Sequence, residues 1–142
     1  MNNPTKVNKV LLQLQKDLAT KERKRPGNEE HHTQCACVNW FRMQFPHMRH
    51  NLFAVPNGGA RSKSQAGMLK AEGVLAGVSD LLLLVRNKEY GALCIEMKTK
   101  KGRQEESQKE WQRLIEQDGY KYVVCRSIDD FIREVKSYLS LS

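Results

Sequence analysis

The stretch that decides the fold reads SDLLLLV from Ser79 to Val85, and LCIEMK follows from Leu93 to Lys98. Both segments are short and apolar, with polar residues at only a few points, which is typical of buried β-strands. The residues from Arg86 to Tyr90 are polar and Gly91 follows them, so this connection favours a hairpin turn. The sequence therefore predicts a central pair of antiparallel strands.

The predicted hairpin places two acidic side chains opposite each other. If the turn is centred on Lys88, residue i pairs with residue 176 − i, so Asp80 faces Glu96. Facing Cβ atoms lie about 4.5–5.5 Å apart, and two carboxylates at that distance repel unless a cation lies between them. Side chains alternate along a strand, so Lys98 shares the face of Glu96. Carboxylate ligands suit Mg²⁺ or Mn²⁺, and the pattern indicates a metal site with a lysine beside it.

Composition and charge limit the class of protein. The 142 residues suffice for one domain, and 24 Lys and Arg against 16 Asp and Glu give a net charge of +8. A basic surplus favours a polyanionic partner, most often nucleic acid, although a merely solvated basic surface gives the same count. The four cysteines lack C-x-x-C spacing, which favours buried free thiols in a reducing compartment. Without a signal peptide or an apolar run near ~20 residues, the chain is expected to be soluble, intracellular and cytoplasmic.

Hydrophobic periodicity divides the chain into two parts. Residues 5–22 carry an amphipathic helical pattern, and with a basic linker they form a predicted N-terminal segment at residues 1–27. Residues 28–142 form the predicted main domain. Its first helix is expected to be capped by Asn28 and to end at Phe45, with an apolar stripe of Cys35, Val38, Phe41 and Phe45. A second helix is expected at Ser64 to Glu72. A third is expected to begin at a capping box of Ser107 and Glu110, and a fourth at a cap residue, Ser127. With strands at Leu52–Val55 and Tyr120–Cys125, the fold class is α/β with a mixed sheet of about four strands.

The motifs follow one another in an order that resembles the VRR-NUC (virus-type replication-repair nuclease) family of the PD-(D/E)XK superfamily. They are VPNGGAR at 55–61, LKAEGVLAGVSD at 69–80, E-x-K at 96–98, GR at 102–103 and SQKEW at 107–111. The resemblance extends from about Glu29 to Leu139. Ser79 departs from it, since the superfamily has a proline there, and the position shapes the start of the strand rather than the chemistry.

The resemblance implies a restriction-endonuclease-like core and a metal-dependent DNA endonuclease that uses Mg²⁺ or Mn²⁺. It implies catalytic roles for Asp80, Glu96, Lys98, Gln108 and Glu30, and metal ligation by Asp80, Glu96, Glu30 and the backbone carbonyl of Met97. The leading expectation is a structure-specific enzyme that resolves Holliday junctions as a homodimer. The alternatives are a monomeric flap or nicking nuclease, or a non-catalytic DNA-binding module of the same fold.

Each candidate residue also has an ordinary structural interpretation. Glu96 and Lys98 suit a surface ion pair, Glu30 suits a first helical turn beside Glu29, and Gln108 is an unremarkable polar residue in a first turn. Glycines let a backbone approach a ligand, but Asn57 and Gly58 also form a simple turn. The DNA-binding candidates are Asn57, Gly58, Arg61, Lys63, Lys70, Lys100, Lys101 and Arg103. The histidines His31, His32, His47 and His50 lack cysteine partners at ligand spacing, so we do not expect a zinc site.

Overall fold

The computed structural model describes residues 28–56 and 62–142. The helix predicted at residues 5–22 therefore lies outside the described residues, as do Asn57, Gly58 and Arg61. The described elements are α1 (Asn28–Gln44), a short 3-10 helix (Pro46–Met48), β1 (Leu52–Ala54), α2 (Lys63–Ala71), β2 (Leu81–Leu83), β3 (Leu93–Met97), α3 (Glu106–Gln117), β4 (Lys121–Cys125) and α4 (Ile128–Leu139). None of the helices in these ranges is long and apolar enough to cross a membrane.

The four strands form one mixed sheet in the order β1-β2-β3-β4, which confirms the predicted fold class. β1, β2 and β3 are antiparallel neighbours, and β4 runs parallel to β3. Leu81 pairs with Ile95 and Leu83 with Leu93, so the paired residue numbers add up to 176. The predicted hairpin register is therefore confirmed. It continues to Asp80 and Glu96, although Asp80 lies just before the three residues of β2.

One face of the sheet forms the apolar core. Leu81, Ile95 and Met97 are at most 1% exposed, and the buried rings of Phe41 and Phe131 pack with them from α1 and α4. The remaining members of the buried cluster are Cys37, Leu52, Leu83, Leu93, Cys125, Val135 and Tyr138. This packing leaves the alternate residues of β3, including Glu96, on the opposite face of the sheet.

The predicted apolar stripe of α1 is wrong at one position. Cys35 is exposed, whereas Cys37 is fully buried with Phe41 one turn later. Positions four residues apart share a helix face, so Cys37 and Phe41 define the side that meets the core. Cys35 then lies on the flank that borders a surface cleft. All four cysteines are free, but only three are buried.

The predicted start of α3 is also wrong. The helix begins at Glu106, and Glu105 is its N-cap. The N3 position of the capping box is occupied by Gln108 rather than Glu110. The side chain of Glu110 instead pairs with Arg113 at 2.7 Å on the exposed surface. Leu114 of the same helix is 44% exposed. The predicted cap of α4 is confirmed, since the Ser127 hydroxyl accepts a hydrogen bond from Asp130 N–H at 3.1 Å.

Candidate active site

Asp80 lies just before β2 and is held by hydrogen bonds on both sides, one to its backbone and one to its side chain. Its carbonyl oxygen accepts a hydrogen bond from Val55 N–H at 2.9 Å, which extends the β1–β2 ladder by one residue. Its carboxylate Oδ2 accepts a hydrogen bond from Met97 N–H at 2.7 Å. The side chain therefore leans across the sheet toward β3, beside the residue that follows Glu96.

Glu96 is a buried carboxylate with one oxygen left without a partner. The residue is 2% exposed, and its Oε1 accepts a hydrogen bond from Gln108 Nε2 at 2.8 Å. Lys98 Nζ lies 3.4 Å from the same Oε1. Oε2 is buried and has no hydrogen-bond partner. Leaving a buried carboxylate oxygen unsatisfied is costly, so a protein retains one chiefly where a ligand satisfies it.

The electrostatic surroundings of Glu96 also favour a bound cation. Burial and then the negative charge of Asp80 raise the pKa of the Glu96 carboxyl, and the nearby Lys98 ammonium lowers it in part, so that it lies at about 7. A buried carboxyl group beside a second carboxylate is an arrangement that a divalent cation relieves. The pair therefore fits a divalent metal ion, and the orphaned Oε2 is the atom that such an ion would satisfy.

Gln108 reaches Glu96 because the N-cap of α3 orients its amide. The side-chain Oε1 accepts a hydrogen bond from Glu105 N–H at 2.9 Å. With the carbonyl end occupied, the Nε2 end of the amide points to the Glu96 carboxylate. The local geometry of a helix start thus aligns a donor with the Glu96 carboxylate. A catalytic role for Gln108 stays a prediction.

Glu30 approaches the site from α1 but is engaged elsewhere. Its Oε1 accepts a hydrogen bond from Thr99 N–H at 3.2 Å, one residue beyond Lys98. Within residues 28–56 and 62–142, no three His, Cys, Asp or Glu side chains converge in an arrangement that could hold a metal ion. Asp80 and Glu96 are thus the central carboxylate pair. A metal-ligating role for Glu30 stays a prediction.

Arg126, which the sequence did not single out, holds the loop that follows Lys98. Its Nη1 donates to the carbonyl oxygens of Thr99 at 2.7 Å, Gly102 at 2.6 Å and Lys100 at 3.4 Å. The loop is closed internally by Gly102 N–H, which donates to Thr99 Oγ1 at 3.0 Å. Arg126 thereby fixes the loop that carries the exposed Lys100, Lys101 and Arg103. No motif could have found this contact, because it joins residues 24 to 27 positions apart.

Tyr122 is a second residue that sequence reasoning missed. It is 6% exposed, and its hydroxyl accepts a hydrogen bond from Gln104 Nε2 at 3.2 Å. Burial raises the pKa of the Tyr122 hydroxyl, and the charge of Glu96 adds to that effect. Tyr122 pairs with Cys94 across the parallel strands, which puts both on the sheet face of Glu96. The signal was the period-two pattern of β4, but its register to β3 was unknown.

The remaining predicted DNA-binding residues that the structure describes are exposed. Lys63 and Lys70 belong to α2, a helix with no buried residue, and both are exposed. Lys100, Lys101 and Arg103 are exposed in the loop after β3. Trp111 is half-buried and packs edge-on to Tyr122 with ring centroids 6.1 Å apart, as expected for a packing residue.

Comparison with known proteins agrees with this fold. The model of the VRR-NUC domain family matches residues 12–129 of the chain. A solved structure described as a VRR_NUC domain protein shares 26% sequence identity and superposes with a TM-score of 0.70, covering 80% of this chain and 89% of that one. No protein of curated function is significantly similar to the chain in sequence.

Fold and comparisons together define a nuclease-type domain. The chain belongs to the VRR-NUC domain family, since the matched range covers well over half of its length. The match begins inside residues 1–27, which the sequence pattern assigns to a separate N-terminal segment. The division of the chain at residue 27 therefore stays a prediction.

Proposed function

We propose that the protein is a metal-dependent, structure-specific DNA endonuclease that hydrolyses phosphodiester bonds with Mg²⁺ or Mn²⁺. The observation that carries this proposal is the buried Oε2 of Glu96, which lacks a partner beside a second carboxylate. Membership of a nuclease family agrees with it. The basic surplus of +8 favours a polyanionic substrate.

The proposed ligands are the carboxylates of Asp80 and Glu96, the backbone carbonyl of Met97 and the carboxylate of Glu30. A bound divalent ion would polarise a phosphate and lower the pKa of a water molecule. The chain itself supplies positioning around that ion. Met97 N–H orients the Asp80 carboxylate, and Gln108 Nε2 orients that of Glu96.

Lys98 is the proposed catalytic cation. Its side chain is only 12% exposed and lies 3.4 Å from Glu96 Oε1, so its ammonium is held beside the carboxylate pair. In a water-poor site, a fixed positive charge interacts strongly with the charge that develops on phosphate oxygens. Lys98 would also orient the attacking water by hydrogen bonding.

DNA is the proposed partner, and branched DNA the proposed form. The exposed side chains of Lys63, Lys70, Lys100, Lys101 and Arg103 would contact the phosphate backbone, with Asn57, Gly58 and Arg61 on the approach to the site. Paired cuts across a Holliday junction need two sites related by a two-fold axis, which requires a homodimer. A monomer would cut flaps or nick one strand. A role in DNA repair would follow from either activity.

A cleavage panel tests this proposal. The protein is incubated with labelled four-way junction, flap, duplex and single-stranded DNA in Mg²⁺, Mn²⁺ or EDTA, and its mass is followed by light scattering across a concentration series. We expect metal-dependent cleavage of branched DNA by a dimer. Cleavage of flaps alone by a monomer would exclude a junction-resolving enzyme and favour a flap nuclease. Binding without cleavage in either metal would favour a non-catalytic DNA-binding module.

A further inference from the structure

A surface cleft opens directly beside Asp80, between α1 and the end of β1. Its volume is about 710 Å³, and Asp80 and Glu30 line one part of it. Beyond them the lining includes Gln34, Val38, Asn39 and Arg42 of α1 and residues 54–56 at the end of β1. The cleft is thus continuous with the carboxylate pair but extends well beyond it, and the proposed chemistry leaves most of its lining unused.

The cleft follows one face of α1 away from the catalytic carboxylates. Glu30, Gln34, Val38 and Arg42 are spaced four residues apart, so they lie along the same side of the helix. Twelve residues of α-helix rise about 18 Å. Glu30 marks the catalytic end through its bond to Thr99, and Arg42 marks the far end.

The lining combines free polar side chains with an aliphatic surface. Gln34, Asn39 and Arg42 have no hydrogen-bond or ion-pair partner on their side chains among residues 28–56 and 62–142, so their donors are available to a ligand. Between them lie the aliphatic groups of Val38, Ala54, Val55 and Pro56. Amide groups hydrogen-bond base edges, apolar side chains pack on base faces, and a guanidinium binds phosphate. The far end of the cleft therefore suits nucleotides.

The volume of the cleft suits unpaired nucleotides better than paired ones. Pockets of about 300–1,000 Å³ enclose ligands the size of a small organic molecule, which corresponds to about one or two nucleotides with their bases turned inward. A base that is paired in a duplex keeps its hydrogen-bonding edge turned to its partner strand. The amides of Gln34 and Asn39 would then have no edge to meet. A base released from pairing presents both its edge and its face to such a cleft.

We propose that this cleft binds unpaired nucleotides of the substrate strand next to the scissile phosphate, with Arg42 on a backbone phosphate and Asn39 on a base. The inference rests on the proposed nuclease function and narrows its substrate class to DNA with an unpaired segment beside the cut. Flaps, forks and single strands qualify, whereas a fully paired duplex and a fully paired four-way junction do not. The inference therefore favours the flap-cutting form of the proposed nuclease over the junction-resolving form. The carboxylate pair thus defines the bond that is cut, and the cleft defines the strand that reaches it.

Direct binding measurements test the cleft without relying on catalysis. Fluorescence anisotropy is recorded with labelled single-stranded, flapped and blunt duplex oligodeoxynucleotides in EDTA, so that no cleavage occurs. For Arg42→Gln we expect the Kd for single-stranded and flapped DNA to rise about 10-fold, because a charge-assisted hydrogen bond is lost. For Asn39→Ala we expect a rise of about threefold. Both residues are exposed on a helix, so both variants should fold.

Arg49→Gln is the matched control, since it removes the same charge from an exposed arginine that does not line the cleft. The control should change the Kd of all three DNAs equally and by less than twofold. With single strands, Arg42→Gln should also reduce the slope of log K against log[salt] by about 0.7, the loss of one phosphate contact. Equal losses for Arg42→Gln and Arg49→Gln, or equal losses on duplex and single strand, would overturn the proposal.

The two proposals fail in distinguishable ways. If Arg42→Gln loses single-strand binding selectively but wild type cleaves no DNA in Mg²⁺ or Mn²⁺, the cleft stands and the nuclease function fails. If wild type cleaves branched DNA and Arg42→Gln binds every DNA like Arg49→Gln, the nuclease function stands and the cleft assignment is wrong. Absence of measurable binding to any of the three DNAs would overturn both.

Discussion

The two faces of β3 have the same burial but opposite chemistry. Ile95 and Met97 are at most 1% exposed and pack in the apolar core, while Glu96 between them is 2% exposed and keeps a carboxylate oxygen without a partner. The core face is satisfied by contacts within the chain, and the other face is left incomplete. A strand built in this way stabilises the fold on one side and holds a charged site on the other, at a cost in stability.

The largest expected effect comes from comparing one substitution on each face of β3. Glu96→Gln removes a proposed metal ligand while preserving the shape of the side chain. The rate of cleavage should therefore fall about 1,000-fold, which corresponds to a loss of several kcal/mol of transition-state stabilisation. Its thermal stability should not decrease. Ile95→Ala should lower the free energy of unfolding by about 2–5 kcal/mol and leave the activity of the folded fraction intact. Cleavage assays and denaturant titrations of both variants make the comparison; a reversed pattern would remove the functional distinction between the faces.

Substitution of Lys98 separates the chemical step from metal binding on the polar face. Lys98→Ala should lower the cleavage rate by about 100-fold, because a fixed charge near the reacting phosphate is lost. Affinity for Mn²⁺ should be retained, because Lys98 donates no lone pair to a cation. Lys109→Ala, at an exposed lysine paired only with Glu106 across one helical turn, is the control. Near-normal turnover of Lys98→Ala would exclude Lys98 from the chemical step.

Gln108 tests whether the oriented amide matters for the carboxylate it holds. Partners that orient a metal ligand typically contribute 10- to 100-fold in metal affinity or activity. Gln108→Ala should therefore weaken Mn²⁺ binding about 10-fold. Gln117→Ala, at an exposed position near the other end of α3, should not. Unchanged Mn²⁺ affinity in Gln108→Ala would reduce its role to capping the helix.

The smallest expected effect is a pH dependence of stability in the metal-free protein. The pKa of Glu96 is about 7 in the folded chain against 4.5 for an ordinary glutamate, so the folded state keeps a proton that the unfolded state releases between these values. This contribution to stability is fully present below about pH 4.5 and is lost as the pH rises through about 7. The thermal midpoint of wild type should fall by a few degrees more than that of Glu96→Gln over this interval.

Added Mn²⁺ should oppose this loss above pH 7, since an ion that binds only the folded state stabilises it. Parallel pH profiles of wild type and Glu96→Gln without metal would show that Glu96 is not the titrating group. Calorimetric scans in EDTA and in Mn²⁺ supply both measurements.

Local patterns predicted the fold and the central pair, while longer-range contacts were not predictable. The register of Leu81 with Ile95 follows from a hairpin closed by a short turn, so counting residues from Lys88 was sufficient. The start of α3 was misplaced because Glu105, Glu106 and Ser107 offer competing caps. Arg126 and Tyr122 were missed because they meet the site through the parallel strand β4, whose register no turn fixes.

The candidate site drew on two kinds of reasoning. The opposition of Asp80 and Glu96 followed from strand geometry. The hydrogen bond from Met97 N–H to the Asp80 carboxylate did not, because it depends on the side-chain conformation of Asp80. Gln108 was selected through the family resemblance alone. Its hydrogen bond to Glu96 depends on the placement of α3 over the sheet, which is a tertiary feature that periodicity does not encode.

Metal binding by the carboxylate pair is the central claim, and calorimetric titration with Mn²⁺ at neutral pH tests it most directly. Wild type should bind Mn²⁺, and Asp80→Asn and Glu96→Gln should each lower the affinity at least ~10-fold because each removes one charged ligand. Glu110→Gln, which changes an exposed glutamate paired with Arg113, should bind like wild type. Equal Mn²⁺ affinity in all four proteins would contradict the assignment of Asp80 and Glu96 as a metal site.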